Sequence, residues 1–493
     1  MGVIAKQSIK NTIFSYLGIV VGATYTLFLI PKVFNQNPDE WGLIQLLFSF
    51  VYLFMPFALM GTSNIIIKYW PKFQKKEQNE FAFFLLSLVL VGLTIVSFII
   101  IFFKNAVFFS KSGDNSLISE YYLWFFPVFF IHTLFHLFIG YARVFYKTSF
   151  PTFLKDPFLK FWTAFLIIIY WFKFIPYDYF FKLYFFGTVI QLILIYFYLR
   201  LNTNLRFPIK FNFFKQKKIL KEILTYGSFS LLAGGAAVLV SRIDLLMISK
   251  LINLKEVAYY SIALFFISVL QVPVRSIGTI AVPILSEHMY KKEYNKVEEI
   301  YKKISQNILV VGSFILMIIT LNINEFMQIL GEKFGQVKYV VIILGISKIY
   351  EMIHSPNGSI IIISKYYRYD IIFQIVLLAI TVITNLIFIP LYGINGAALA
   401  TAITMITNVT VKELFIYRKY KLHPYSKQTI SVLLTIVASI AATVFIGSIY
   451  NVYITMVVKG LIISTVYFIS LIMFNISDDM KFFLLTTINK IKP

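Results

Sequence analysis

The residues best placed to do chemistry in this chain are the charges that interrupt its long apolar stretches. Five basic residues lie inside them: Lys160, Lys182, Arg242, Arg275 and Lys348. A charge at the centre of a bilayer costs about 2.5–3.5 kcal/mol on insertion scales, so such side chains face a polar cavity or a partner. Lys160 and Lys182 lie near stretch ends, from which a lysine stem reaches the interface. Arg275 lies near the middle of its stretch, too deep for that. Arg242 precedes Asp244 by two residues, and positions i and i+2 do not face each other on a helix, so separate partners are expected. Two readings are open: the arginines pair with acids elsewhere in a helical bundle, or they line a cavity. A guanidinium fork matches phosphate. The second reading therefore places Arg275, then Arg242, then Lys348 against an anionic cargo, with Asp244 and Glu351 as the acids nearby.

Lys348, Glu351 and His354 recur every third residue, near one helix face. Lys348 and Glu351 can simply pair within the helix. The run "HSPNGS" at 354–359 follows, and Pro356 with Gly358 predicts a break or hinge there. Broken spans at membrane depth occur where protein or a cavity satisfies the freed backbone. His132 and His136 have i, i+4 spacing, but Thr133 stands where a zinc protease needs glutamate. They read as hydrogen-bonded packing histidines or, for His136, as a sugar or phosphate contact, and no metal site is expected. Aromatic residues make up 18% of the chain, mostly Phe. Runs such as "YYLWFF" at 121–126 read as interfacial belts rather than as a sugar-stacking platform. The glycines of "GGAAV" and "GINGAALA" permit close helix approach. They do not form a nucleotide-binding loop, so no cofactor is expected.

The elements that position these residues are membrane helices. The hydrophobic fraction is 59%, the charged fraction 14% and the mean hydropathy +0.79. That leaves too little polar residue to cover a water-exposed surface. A formal charge of +23 could suit a nucleic-acid binder, but here the basic residues gather at span ends, so nucleic acid is not the partner; membrane lipids are. The absence of cysteine excludes disulfides and thiolate chemistry. The first apolar run is too long for a signal-peptide core and reads as the first span. Fourteen candidate spans follow at 9–31, 41–67, 81–103, 121–142, 152–172, 177–199, 223–249, 257–286, 304–321, 337–364, 371–389, 394–416, 428–449 and 453–475. With alternating crossings, 31 loop lysines and arginines fall on the side of the termini and 9 on the other. That bias puts both ends in the cytoplasm.

Pro56 and Pro273 are 217 residues apart, as are Gly61 and Gly278, and "FIP" at 174–176 recurs at 388–390. The expected organisation is an N-lobe over 1–199 with spans 1–6, a basic linker over 200–222 and a C-lobe over 223–420 with spans 7–12. Residues 421–493 add spans 13 and 14 and a cytoplasmic tail. The fold class is thus all-α membrane protein: about 14 transmembrane helices, as two pseudo-symmetric six-helix lobes plus two extra C-terminal helices. The lobes are related about the membrane normal, with a site between them.

Two stretches carry a family resemblance. "SRIDLLMISKLINLKEVAYYSIALFFISVLQVPVRSIGTIAVPILSE" at 241–287 and "LYGINGAALATAIT" at 391–404 resemble the polysaccharide repeat-unit flippases of the multidrug/oligosaccharidyl-lipid/polysaccharide exporter (MOP) superfamily. The loop in "FNQNPDEWGLIQLLFSF" at 34–50 fits as well. The resemblance implies a MATE-like fold and residence in the cytoplasmic (inner) membrane. It implies alternating-access export of an oligosaccharide on polyprenyl pyrophosphate, for surface polysaccharide such as lipopolysaccharide O-antigen, beside polysaccharide polymerase machinery. The alternatives are a cation-coupled multidrug antiporter and a membrane polymerase or glycosyltransferase. A drug cation favours an acidic cavity, whereas the deep charges here lean basic. The longest outer loop, about 104–120, carries only Asp114 and Glu120 as acids, too few for an enzyme of that kind.

Overall fold

The computed structural model describes residues 3–109, 116–203, 205–208, 217–444 and 451–474. Every described regular element is a helix. In hydrocarbon this is what an apolar chain must do, because a helix satisfies its backbone groups within its own segment. Among the described residues eight helices are long and apolar enough to cross a membrane, nine when the pair Lys218–Ala236 and Val238–Leu251, bent by 45°, counts as one. Several of the other expected spans fall on interrupted helices. Span 5 is interrupted by a π-helical turn at Leu154–Phe158 and span 8 between Val269 and Gln271. Outward faces carry bare apolar residues such as Phe98, Phe102 and Leu201.

The chain forms two compact units, Met1–Ser261 and Ile262–Pro493. In the first, Pro38–Leu59 is the central helix, packed on Lys217–Leu251, Lys75–Phe102 and Phe125–Val144. Two glycines permit this. A Cβ on Gly42 would lie 2.0 Å from the Leu254 carbonyl oxygen, and Gly61 (φ +73°) abuts the backbone of Gly227. The helix containing Pro56 ends at Met60 and Gly61, both left-handed, and the chain restarts as Thr62–Tyr69. Much of the aromatic content is interior packing rather than belt. Tyr121 is buried with its ring 4.3 Å from that of Phe181, and Phe34 packs against Trp41, Tyr170 and Phe180.

In the second unit, Val337–Ile353 packs on Arg368–Tyr420 and Tyr294–Leu321. Arg368–Tyr420 runs through Gly393, whose φ of 60° and ψ of −137° separate spans 11 and 12. Lys427–Val444 and Val452–Met473 pair with each other and pack on Tyr294–Leu321. The residues between them, 445–450, lie outside the described residues. Tyr467 anchors the last helix by donating to the Val310 carbonyl at 2.8 Å. Lys459 is buried and reaches Glu325 at 2.6 Å. The break in span 10 falls at His354 and Ser355: one helix ends at Ile353 and the next opens at Pro356. Proline suits the first helical position, where its missing N–H has no partner to lose. Gly358 lies inside that second helix.

Candidate functional site

In the first unit, three helices bring a cation, a phenol and two imidazoles together. The Arg242 guanidinium, on Lys217–Leu251, lies 5.0 Å from the centre of the Tyr52 ring on Pro38–Leu59. The Tyr52 hydroxyl is 3.2 Å from His132 Nε2 on Phe125–Val144. One turn on, the His136 ring is centred 5.6 Å from that of His132. Phe48 packs edge-on against His132 and stacks on Phe185. Among the described residues no carboxylate lies within ion-pair distance of Arg242. Asp244, two residues on, is buried and accepts from the Tyr260 hydroxyl at 3.1 Å. The two side chains do have separate partners, as their spacing requires. A ring face supports a cation without consuming its N–H donors.

A second basic feature lies at the end of the same helices. A cavity of about 520 Å³ is lined by Lys68, Tyr69, Lys218, Lys221, Glu222 and Tyr226, among others. Lys68 Nζ lies 3.8 Å from the centre of the Tyr226 ring. Lys72 lies 4.7 Å from that of Tyr69 and 3.8 Å from Glu222. Tyr69 also donates to Glu222 at 3.0 Å. Lysines thus outnumber the single acid in a cavity large enough for more than one phosphate.

Among its described side chains, the second unit matches deep charges in pairs. Lys348 is buried and donates to Glu351 Oε2 at 2.6 Å, the within-helix pair that the spacing allows. Lys412 pairs with Asp370 at 2.8 Å. His354 Nε2 lies 3.0 Å from Glu413 Oε2 and 3.0 Å from the Tyr425 hydroxyl. Arg275 sits on Gln271–Tyr290, but its side chain lies outside the described residues. Lys182 pairs with Asp178 one turn away and is nearly half exposed, the posture of a lysine at an interface. Among the described residues no three His, Asp or Glu side chains converge as a metal would require.

Sequence reasoning missed Tyr52 and Glu413. Tyr52 was hidden among many aromatics, although its position one turn before Pro56 on an apolar helix is a signal. Glu413 was hidden beside Lys412 in what reads as a basic helix end.

Such a bundle defines a class: an all-helical membrane protein. Solved structures share the fold. The lipid II flippase MurJ, in an inward closed conformation, matches with a TM-score of 0.73 over 94% of this chain and 100% of that one, at 15% identity. An inward-facing multidrug-resistance MATE family transporter of the MOP superfamily matches at 0.63 over 83% and 98%, at 14% identity. A MOP superfamily transporter from Pyrococcus furiosus, described as having a binding pocket of reversed polarity, matches at 0.59 over 85% and 96%, at 15% identity. No curated protein sequence matches the chain. The model of the polysaccharide biosynthesis protein family matches residues 8–289. The chain belongs to that family, and it has the fold that MurJ and the MATE transporters share.

Proposed function

We propose that the chain flips an oligosaccharide repeat unit on polyprenyl pyrophosphate across the cytoplasmic membrane for surface polysaccharide synthesis. In this reading both termini are cytoplasmic, the chain crosses fourteen times, and two lobes alternate access to a cavity between them. The observation that carries the reading is Arg242, held on the Tyr52 ring with no carboxylate at ion-pair distance among the described residues. The cargo's apolar tail can stay in lipid, but its pyrophosphate cannot cross about 30 Å of hydrocarbon without a polar path. Guanidinium groups replace water around phosphate, and a few of them bind weakly enough to release it. The lysine-lined cavity at Lys68 and Lys218 serves as the capture point on the cytoplasmic face. Arg275 remains the second candidate on its depth in the sequence. Lys348 ranks last because Glu351 occupies it.

A drug antiporter requires an acid open to a cation, and the buried Asp244 and the partly buried Glu413 already accept hydrogen bonds from tyrosines. The test is genetic. Deletion in the native host should abolish surface polysaccharide and accumulate lipid-linked repeat units on the inner face, with drug tolerance unchanged. Normal polysaccharide with increased drug sensitivity would replace this reading with the antiporter. A reporter fused after Lys255 should signal the outside; a cytoplasmic signal there would overturn the orientation.

A further inference from the structure

The chain beyond Tyr177–Asn202 folds back onto its own bundle. The helix stops at Thr203, whose backbone is extended. The Thr203 hydroxyl donates to the Leu199 carbonyl at 2.6 Å and accepts from the Leu205 N–H at 3.3 Å. Leu205 is buried. The Arg206 N–H donates to Asn79 Oδ1, on Lys75–Phe102, at 2.9 Å. The Phe207 ring is centred 6.1 Å from that of Phe138 and 5.9 Å from that of Tyr141, both on Phe125–Val144. Three helices thus hold 205–208 in place.

The fold-back encloses a cavity of about 320 Å³, lined by Phe138, Tyr196, Arg200, Arg206 and Phe207 among others. That size lies at the lower end of small-molecule sites, ~300–1,000 Å³. The polar side chains of the lining are two guanidinium groups and one phenol, and the rest is apolar. Among the described residues no carboxylate lies within ion-pair distance of Arg200 or Arg206. Two unmatched cations on one cavity repel, and an anion between them removes that cost. The guanidinium fork fits phosphate oxygens.

The approach to the cavity is apolar. Phe186, Ile193, Phe197 and Leu201 are bare and recur at helical spacing along Tyr177–Asn202, so they form one stripe. Arg200 stands at its end, one turn beyond Tyr196 and Phe197. The stripe suits hydrocarbon and the arginines suit phosphate, the two parts of one amphiphile.

We infer that this cavity binds the phosphate of an anionic membrane phospholipid, with an acyl chain along the 186–201 stripe. The lining disfavours a sugar-bearing cargo. A glycan needs many hydrogen-bond partners, and the one uncharged polar side chain of the lining is Tyr196. It disfavours a free phosphate ion because most of the lining is apolar. The bound headgroup bridges Arg200 on the helix to Arg206 on the segment folded over it, and so locks the fold-back. The site is separate from Arg242 and does not depend on which cargo the chain moves.

The experiment titrates delipidated full-length protein in detergent with phosphatidylglycerol or phosphatidylcholine and counts bound lipid by native mass spectrometry. Phosphatidylglycerol should be held about thirty-fold more tightly at one site, the worth of two arginines beside an anionic lipid. Arg200→Ala/Arg206→Ala should erase that preference. Arg418→Ala/Lys419→Ala, an equal loss of exposed charge on another helix, should keep it. In phosphatidylcholine nanodiscs, added phosphatidylglycerol should slow amide exchange at Arg206 and Phe207 about tenfold once it reaches ten times its dissociation constant. Equal affinity of the wild type for the two lipids overturns the proposal, as does unchanged exchange at Arg206 and Phe207. Equal losses in the two double variants overturn it too, by making the attraction diffuse surface charge. Displacement of phosphatidylglycerol by an equimolar polyprenyl diphosphate would assign the cavity to the cargo, and displacement by inorganic phosphate would make it an ion site; either result overturns it. Should the alanine variant fail to accumulate, Arg200→Gln/Arg206→Gln, which keeps the length of both stems, takes its place, and the wild-type measurements decide in either case.

Discussion

The two units treat buried charge in opposite ways. In Met1–Ser261, Arg242 leans on an aromatic face, with no carboxylate at ion-pair distance among the described residues. In Ile262–Pro493, Lys348, Lys412 and Lys459 each meet an acid at 2.6–2.8 Å. A compensated pair buried in a bundle resists separation, because removing one member strands the other. An uncompensated guanidinium is worth its insertion cost only where something else neutralises it. The difference teaches that the deep cations of one chain are not one class. Lys348, Lys412 and Lys459 in the second unit are each matched by an acid, whereas among the described residues Arg242 meets none at ion-pair distance.

The sharpest way to break that comparison is Arg242 itself. Arg242→Ala should lower polysaccharide export about ten- to a hundred-fold, the loss of one or two hydrogen bonds to a charged group. Arg242→Lys should fall between, because an ammonium cannot form the bidentate contact. Export is measured in cells lacking the native copy, at matched membrane levels of protein. If Arg242→Ala reduces export only by reducing accumulation, the arginine is a packing residue and the contrast collapses.

The opposite outcome is expected at Lys459. Lys459→Ala leaves Glu325 buried and unpaired, and Glu325 Oε2 already has no hydrogen-bond partner. Removing one member of such a pair costs about 3–5 kcal/mol. Thermal unfolding in detergent should show a large drop for Lys459→Ala and a smaller one for the double variant Lys459→Met/Glu325→Leu. Export per folded molecule should be unchanged. Equal losses in the single and double variants would mean that the lysine contributes through packing of its stem, not through charge.

How much of this was legible in the sequence follows from the range of each interaction. The spans were legible because twenty apolar residues are a local signal, and the break of span 10 because Pro-Asn-Gly is one. The Lys348–Glu351 pair was legible because it closes within one turn. Arg242 on Tyr52 was not, since one residue lies on the second span and the other on the seventh, and no spacing rule relates them. Lys412 and Lys459 read as loop cations at span ends. The fold turns both inward, onto Asp370 and Glu325, because a four-carbon stem reaches an acid that a linear charge count cannot see. The Tyr52–His132 contact failed for another reason: with so many aromatic residues, composition favours packing for every one of them.

The smallest expected effect compares like with like. His288 and Glu293 form another histidine–glutamate contact, at 2.6 Å, with both side chains partly exposed. The Glu293 carboxyl is held below its ordinary range, first by the hydrogen bond from His288 and then by that from Lys296. A depressed carboxyl stabilises the fold above its unfolded pKa, near 4.5, and that contribution is lost as pH falls through the lower folded value. The wild type should therefore lose a little stability as the medium is acidified from about pH 5. Glu293→Gln should flatten that limb without altering behaviour near neutrality. Contact with solvent keeps the effect small, since exposed pairs are screened. Acid titration of thermal unfolding for the two proteins measures it. If Glu293→Gln instead shifts hydrogen exchange across 421–426 at neutral pH, the exposed contact reaches the buried one. Burial would then not be what sets the His354–Glu413 contact apart.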